Sequence, residues 1–301
     1  MLKKSQRISS QKAQDFLGNS IKKSKITRFR TLVLTRHPSH FPLRERLPLL
    51  PFRSIVRLGS TTVRNDKQRV ECNSVQAVKN SASKLLMKQC FTRSGVKTAD
   101  WYTCMGGVFT DFTNSIKNIS NLPYPIICKS LHGSRGEGNS LVKNQQELEA
   151  WMRGKTLSNY IFEKYYSYTR EYRLHVTKDG CFYTCRKMLK RDTPEDKKFQ
   201  RHDDNCVWLM ENNPDFDKPV NWNDIVKDCV RSLHSLGLDI AGFDVKVQSA
   251  RDAKGNLRNI CEWIVIESCS APSFGETTLE KYLLEIPKVL NNKWKMNQAR
   301  V

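Results

Sequence analysis

Residues 126–138 read Ile-Ile-Cys-Lys-Ser-Leu-His-Gly-Ser-Arg-Gly-Glu-Gly, a short apolar run that brings Lys129 to its end and then opens into a glycine-rich loop. The apolar run predicts a strand, and a strand of this kind needs a sheet around it. Gly133, Gly136 and Gly138 let the backbone take positive φ, so successive N–H groups can point at one anion. Lys129 adds a point charge suited to a phosphate, with Ser134 and Arg135 carried in the loop. Strand, lysine and glycine loop together are a means of holding a triphosphate. The plainer alternative is a surface hairpin whose glycines only turn the chain.

Two familiar patterns are excluded. No Lys-Ser/Thr follows the glycines, so this is not a Walker A loop, and no aspartate accompanies Lys129 as in the Lys-x-Asp-Gly motif of nucleic-acid ligases.

The net charge of +21 is unevenly spread. Residues 1–30 hold nine Lys/Arg against one acid and residues 31–70 eight against two, so two thirds of the excess lies in the first 70 residues. The sequence predicts a poorly ordered basic arm over 1–30, suited to a polyanion or an acidic partner; in composition it also resembles a transit peptide. No apolar run approaches the roughly 20 residues of a membrane span, and no secretory signal is visible. Ten scattered cysteines without a Cys-x-x-Cys pair fit reduced thiols in a cytoplasm and no zinc site.

Along the chain, strands are expected at Thr31–Leu34, Ser54–Leu58, Pro125–Lys129, Leu141–Val142 and Tyr160–Phe162. One helix is expected over Ser74–Arg93 and a short one over Gln145–Gly154. Glu171–Thr177 and Cys181–Lys187 read as a hairpin around Lys178-Asp179-Gly180. Trp222–Leu236 fits an amphipathic helix stopped by Gly237, followed by strands Ile240–Val247 and Ile260–Glu267 and a helix Leu279–Leu290. Antiparallel hairpins mixed with helices give an α+β class.

Asp244 sits inside the apolar strand Gly-Phe-Asp-Val-Lys, and Glu267 closes Trp-Ile-Val-Ile-Glu. A carboxylate within an apolar run is costly to bury unless paired or metal-bound. If the two strands form a hairpin, both acids emerge on one face, where they suit a hard cation such as magnesium. The alternative is that each pairs with an internal arginine.

In order, Lys88, Lys129 with its loop, Glu163-Lys164-Tyr165, Glu171-x-Arg173, Lys187, Asp244 and Glu267 resemble the ATP-grasp superfamily, over residues 54–290. Within it the chain is similar to carboxylate–amine ligases that include ribosomal-protein glutamate ligases and phage-encoded relatives. That likeness rests on Arg57-Leu58-Gly59-Ser60, Arg170-Glu171-Tyr172-Arg173-Leu174-His175-Val176 and Glu267-Ser268-Cys269-Ser270-Ala271-Pro272-Ser273.

The resemblance implies two α+β subdomains gripping ATP. It divides the chain into a basic arm (1–30), a reduced N-terminal segment (31–70), a helical or linker part (71–122), a central lid subdomain (123–165), a C-terminal subdomain (166–292) and a tail (293–301). It implies ATP and Mg2+ as cofactors. Lys88, Lys129 and the loop Gly133, Ser134, Arg135, Gly136 and Gly138 would meet the phosphates. Glu163, Lys164 and Tyr165 would read the adenine by their backbone, Glu171 the ribose, and Lys187 the γ-phosphate. Arg173, Lys187 and Arg201 would stabilise an anionic intermediate, and Asp244 and Glu267 would hold magnesium. The third metal position, usually asparagine, is Cys269, a soft thiol poorly matched to magnesium.

The activity so implied joins a carboxylate to an amine, an amino acid with a peptide or protein, in the cytoplasm (a host cytoplasm if phage-encoded). Two other uses of the same frame are a catalytically impaired nucleic-acid- or capsid-associated binding protein, and a kinase-type phosphorylation of a hydroxyl.

Overall fold

A computed structural model describes residues 27–64, 69–111, 115–116, 119–132, 136–199 and 205–300. The expected basic arm lies almost wholly outside the described residues. Three sheets make up the fold. The first is small and parallel, with β1 (Leu32–Thr35), β2 (Ser54–Leu58) and β3 (Val70–Cys72) side by side in that order and a short helix α1 (Leu43–Arg46) between the first two.

The single helix expected over Ser74–Arg93 is two helices, α2 (Val75–Ala82) and α3 (Lys84–Arg93). Ser83 is the break: its backbone is extended, at φ −90° and ψ 114°, and its hydroxyl accepts the Leu86 N–H to cap α3. After the break, α3 buries Met87, Lys88 and Phe91.

The second sheet is antiparallel, with β4 (Trp101–Met105), β5 (Val108–Thr110), β6 (Ser115–Ile116), β7 (Ile126–Ser130), β8 (Ser140–Val142) and β9 (Tyr160–Lys164) in the order β6-β5-β4-β9-β7-β8. Residues 101–116 therefore belong to the central sheet, where a helical or linker part had been expected up to residue 122. One face packs on helix α4 (Gln145–Met152) through Cys128, Val142, Leu148 and Phe162. The opposite face carries Ile127, Lys129, Ile161 and Glu163, because side chains alternate along β7 and β9.

The third sheet is also antiparallel, in the order β12-β11-β10-β13-β14, from β10 (Arg170–Thr177), β11 (Gly180–Leu189), β12 (Cys206–Met210), β13 (Ile240–Val247) and β14 (Trp263–Cys269). Helix α5 (Trp222–Leu236) covers one face: Trp222, Ile225, Cys229, Leu233 and Leu236 recur at helical spacing and bury against Tyr172, Leu174, Phe243 and Val265. Gly237 ends it in the left-handed conformation at φ 72°, as its position predicts. A last helix α6 (Glu276–Gln298) seals the small sheet through Leu279, Tyr282, Ile286 and Leu290. The mixture of antiparallel hairpins and helices is the expected α+β class.

The small sheet is fastened to the third. Asn73 donates to the Arg57 and Ile240 carbonyls and accepts from the Asp239 N–H. His40 Nε2 meets the Pro272 carbonyl at 2.7 Å, and Phe274 N–H donates to Ser39 Oγ. Gly59, at φ 72°, lies where a Cβ would come within 2.9 Å of the Ala271 Cβ. Among the described residues no helix is long and apolar enough to cross a membrane, and all ten cysteines are unpaired.

Candidate active site

The face of the third sheet turned away from α5 is polar, and strand register explains why. Glu171 pairs with Lys187, Arg173 with Cys185 and Asp244, and Asp244 with Glu267. Directly opposed residues share a face, so the five acids and bases Glu171, Arg173, Lys187, Asp244 and Glu267, predicted from four separate motifs, stand side by side. A bulge between Asp244 and Val245 shifts the β14 register by one residue, which keeps Glu267 opposite Asp244.

In the described structure these charges neutralise one another. Arg173 donates from Nε to Asp244 Oδ1 at 2.8 Å and from Nη2 to Oδ2 at 2.9 Å. Lys187 Nζ also donates to Asp244 Oδ2, and reaches Glu171 Oε1 at 3.2 Å. Burial alone would push the Asp244 carboxyl up, but Arg173 and Lys187 outweigh it and hold it well below the usual range. The sequence alternative of an internal arginine partner is thus realised at Asp244.

Glu267 differs. Its side chain reaches solvent, yet crowding by protein atoms and then the charge of Asp244 raise its pKa. Two facing carboxylates, one raised by the other, favour an added cation, and this donor set fits magnesium. Cys269 does not: burial raises its pKa, so it stays a neutral thiol. Among the described residues no group of three His, Cys, Asp or Glu side chains gathers at metal-ligand distance.

Across the cleft the second sheet presents a matching cluster. Glu163 Oε2 accepts from Lys129 Nζ at 2.8 Å and faces Lys88 Nζ at 3.3 Å. Burial would raise Glu163, but the two lysines hold it below the usual range. Lys88 is fully buried, and desolvation lowers its pKa to about 8. Its ammonium also donates to Thr98 Oγ1 at 2.7 Å.

A narrow slot lies beside the Lys129–Glu163 pair, between the second sheet and β14, lined by Ile127, Lys129, Glu163, Tyr165, Ile264 and Ile266, among others, with about 40 Å³ of space. Lys164 N–H donates to Asp100 O at 2.9 Å and Tyr165 N–H to Pro125 O at 2.8 Å. These two donors, expected to read a base edge, are already used by the sheet; Tyr165 and Tyr166 line the slot instead. Gly136 and Gly138 form a turn at φ 81° and 73°, whereas Gly133, Ser134, Arg135 and Arg201 lie outside the described residues.

Two antiparallel sheets thus face a cleft with Lys88 and Lys129 on one side and Asp244 and Glu267 on the other. The structure is similar to D-alanine–D-alanine ligase from Bacillus anthracis, with a TM-score of 0.55 over 90% of this chain and 98% of that one at 12% identity. The same enzyme complexed with ATP gives 0.52 over 82% and 81%, also at 12% identity. N5-carboxyaminoimidazole synthetase from Staphylococcus aureus complexed with ADP gives 0.53 over 79% and 60% at 16% identity. The chain has the ATP-grasp fold. No protein-family model and no curated protein matches the sequence.

Within this ATP-grasp frame, two residues stand at the cleft that sequence reasoning passed over. Lys84 opens α3 one turn before Lys88; burial lowers its pKa, and the charges of Glu267, Lys129 and Glu163 all act on it. Its i, i+4 spacing from Lys88 was the available signal. Trp208 pairs with Lys187 in register and lies beneath Lys187 Nζ at 5.6 Å and Arg173 Cζ at 5.4 Å. Strand β12 that carries it had not been expected.

Proposed function

We propose that the chain is an ATP-dependent ligase that joins a carboxylate to an amine through an acyl phosphate. The supporting observation is the exchange of partners the cleft is built for. Lys88 and Lys129 are held by Glu163, and Arg173 and Lys187 by Asp244 and Glu171, so each of these cations has an acidic partner and the four together keep an excess positive charge over those three acids. Incoming phosphates would replace the acids as partners of the lysines. Asp244 and Glu267 would then hold magnesium, which when bound supplies charge neutralisation on the phosphates.

The chemistry is positioning plus electrostatics. The substrate carboxylate oxygen attacks the γ-phosphorus, the bond to the β,γ-bridging oxygen breaks, and ADP leaves. Lys187 and Arg173 hold the charge on the transferring group. The amine then attacks the acyl carbon, phosphate departs with the bonding pair, and the amine loses its proton to solvent, giving an amide. Tyr165, Tyr166, Ile264 and Ile266 would flank the base, and Glu171 would accept from the ribose hydroxyls. The acceptor we favour is an amino acid, peptide or protein amine, with the basic N-terminal arm contacting a polyanion.

ADP release measured with and without a pool of amino-acid and peptide amines tests the reading. Amine-dependent ADP release, lost in Lys129→Ala together with roughly ten- to hundredfold of ATP affinity, is the expected result. ATP binding without amine-dependent turnover would instead favour the binding-protein use of the frame, and unchanged ATP affinity in a folded Lys129→Ala would remove the nucleotide assignment.

A further inference from the structure

On the opposite face of the third sheet from the nucleotide cleft, beside the Pro214–Phe216 turn, lies a cavity of about 410 Å³. Its walls bring together three guanidinium groups, those of Arg170, Arg186 and Arg191, with Met188, Leu189 and Pro214 beside them. The volume is in the range of small-molecule sites, and an apolar wall with a few convergent polar groups is their usual make-up.

Part of this arrangement is structural. Arg186 donates from Nη1 to the Asp215 carbonyl, and Arg170 Nε pairs with the Asp217 carboxylate. Tyr172 OH donates to the Phe216 carbonyl at 3.0 Å, so the turn is clamped from β10 and β11. Asp217 holds the left-handed backbone at φ 53° that this clamp requires. Clamping leaves two things unexplained. Arg186 is 6% exposed, and its Nε–H has no hydrogen-bond partner among the described residues, a rare condition for a buried charged donor. A third arginine, Arg191, is added at the exposed rim, although Arg170 already lies close enough to Arg186 to help burial lower its pKa. Asp215 and Asp217 also line the cavity and their charges act on Arg186; Asp217 is engaged by Arg170, and Asp215 is exposed.

We propose that this cavity is a second anion site, separate from the nucleotide cleft, that takes a small molecule bearing a carboxylate or phosphate group. The oxyanion would be received by Arg186 and Arg191, with the rest of the ligand against Met188, Leu189 and Pro214. Guanidinium groups suit such oxyanions because their donors are fixed in a fork. Arg170 directly precedes Glu171 and Arg186 directly precedes Lys187. An anion here and a nucleotide in the cleft would therefore sit on opposite faces of the same two strands.

The test is calorimetric titration of the full chain with inorganic phosphate and, separately, with succinate, in buffers matched for ionic strength with chloride. The expected result is saturable binding of at least one probe. Arg191→Ser and Arg186→Met should each weaken it by about tenfold or more, the loss of one charge-assisted contact, while Lys129→Ala leaves it unchanged. Phosphate alone binding, or succinate alone, names the class. Should Arg186→Met fail to fold, Arg191→Ser on the exposed rim decides by itself. Absence of saturable binding by either probe below about 10 mM overturns the proposal. So does binding that Arg191→Ser leaves intact and Lys129→Ala abolishes, since the anion would then be in the nucleotide cleft.

Discussion

Arg173 grips Asp244 through two parallel hydrogen bonds across neighbouring strands, with its guanidinium fork matched to both carboxylate oxygens. Lys187 completes the set from the other side. The carboxylate read from sequence as a metal ligand is therefore also the counter-charge that lets two cations sit buried in a sheet.

Removing that charge should be felt in stability as well as in turnover. Asp244→Asn leaves Arg173 without its carboxylate and Lys187 with Glu171 alone, and breaking a buried pair in this way costs about 3–5 kcal/mol. Equilibrium urea unfolding at pH 7 should show the midpoint fall with an unchanged slope. An unchanged midpoint would show that the triad adds nothing to folding.

Lys88 should make nucleotide affinity pH-dependent. Its folded pKa is about 8 against an ordinary 10.5, because it is desolvated. Between those values the unfolded chain keeps a proton that the folded chain releases, so this group makes folding more favourable as pH rises. Binding runs the other way. A phosphate needs the protonated amine, so ATP affinity should fall above pH 8 by up to about tenfold per unit. Lys88→Gln should bind more weakly and with a flat profile; a profile shared by both proteins would place the titrating group elsewhere.

Cys269 stands opposite Gly242, two register positions from the Asp244–Glu267 pair and so on the same face of the sheet. If an oxygen donor is what the cation position lacks, Cys269→Asn should tighten magnesium binding and raise ADP release. Magnesium titrations of both proteins check this, and no gain in affinity would mean that the position does not contact the ion.

Two buried histidines set the acid limit. His40 and His175 are held neutral by burial, with folded pKa values of about 4 and about 3. Below the ordinary value near 6.5 the unfolded chain takes up protons that the folded chain refuses, so stability declines as pH drops. The decline should approach about 1.4 kcal/mol per pH unit for each histidine, continuing to pH 4 for His40 and further for His175. Urea midpoints between pH 7 and pH 5 measure it, and His175→Gln should make the slope shallower.

The legible parts of the fold are those where one local pattern decides. Trp222–Leu236 carries a complete apolar stripe and a terminal glycine, and Glu171–Thr177 an alternation that runs into an Asp-Gly turn. Strand β9 was read two residues short because Glu163 and Lys164 look like loop residues. Nothing local reveals that Glu163 faces two buried lysines. β4 and β12 lack a clean alternation, and the parallel pairing of β1, β2 and β3 is a long-range choice that no window reports. Ser83 broke a helix that apolar spacing alone would have run straight through. In the candidate site, residue types and their order were legible, and the i, i+4 spacing of Lys84 and Lys88 was there to be read; the pairing of Arg173 and Lys187 with Asp244, and the presence of Trp208, required the register.

The contact of Gly59 on Ala271 decides which part of the molecule can swing. With no room for even a methyl group there, and with His40 on Pro272 and Asn73 on Ile240, the small parallel sheet and the loop after Glu267 form a fixed anvil. The central sheet joins the rest through the chain segments on either side of Trp101 and Tyr165 and through the ion cluster at Glu163. Bringing the two faces of the cleft together would therefore move Lys129 with the central sheet, against an Asp244 and Glu267 tied to the small sheet by these contacts.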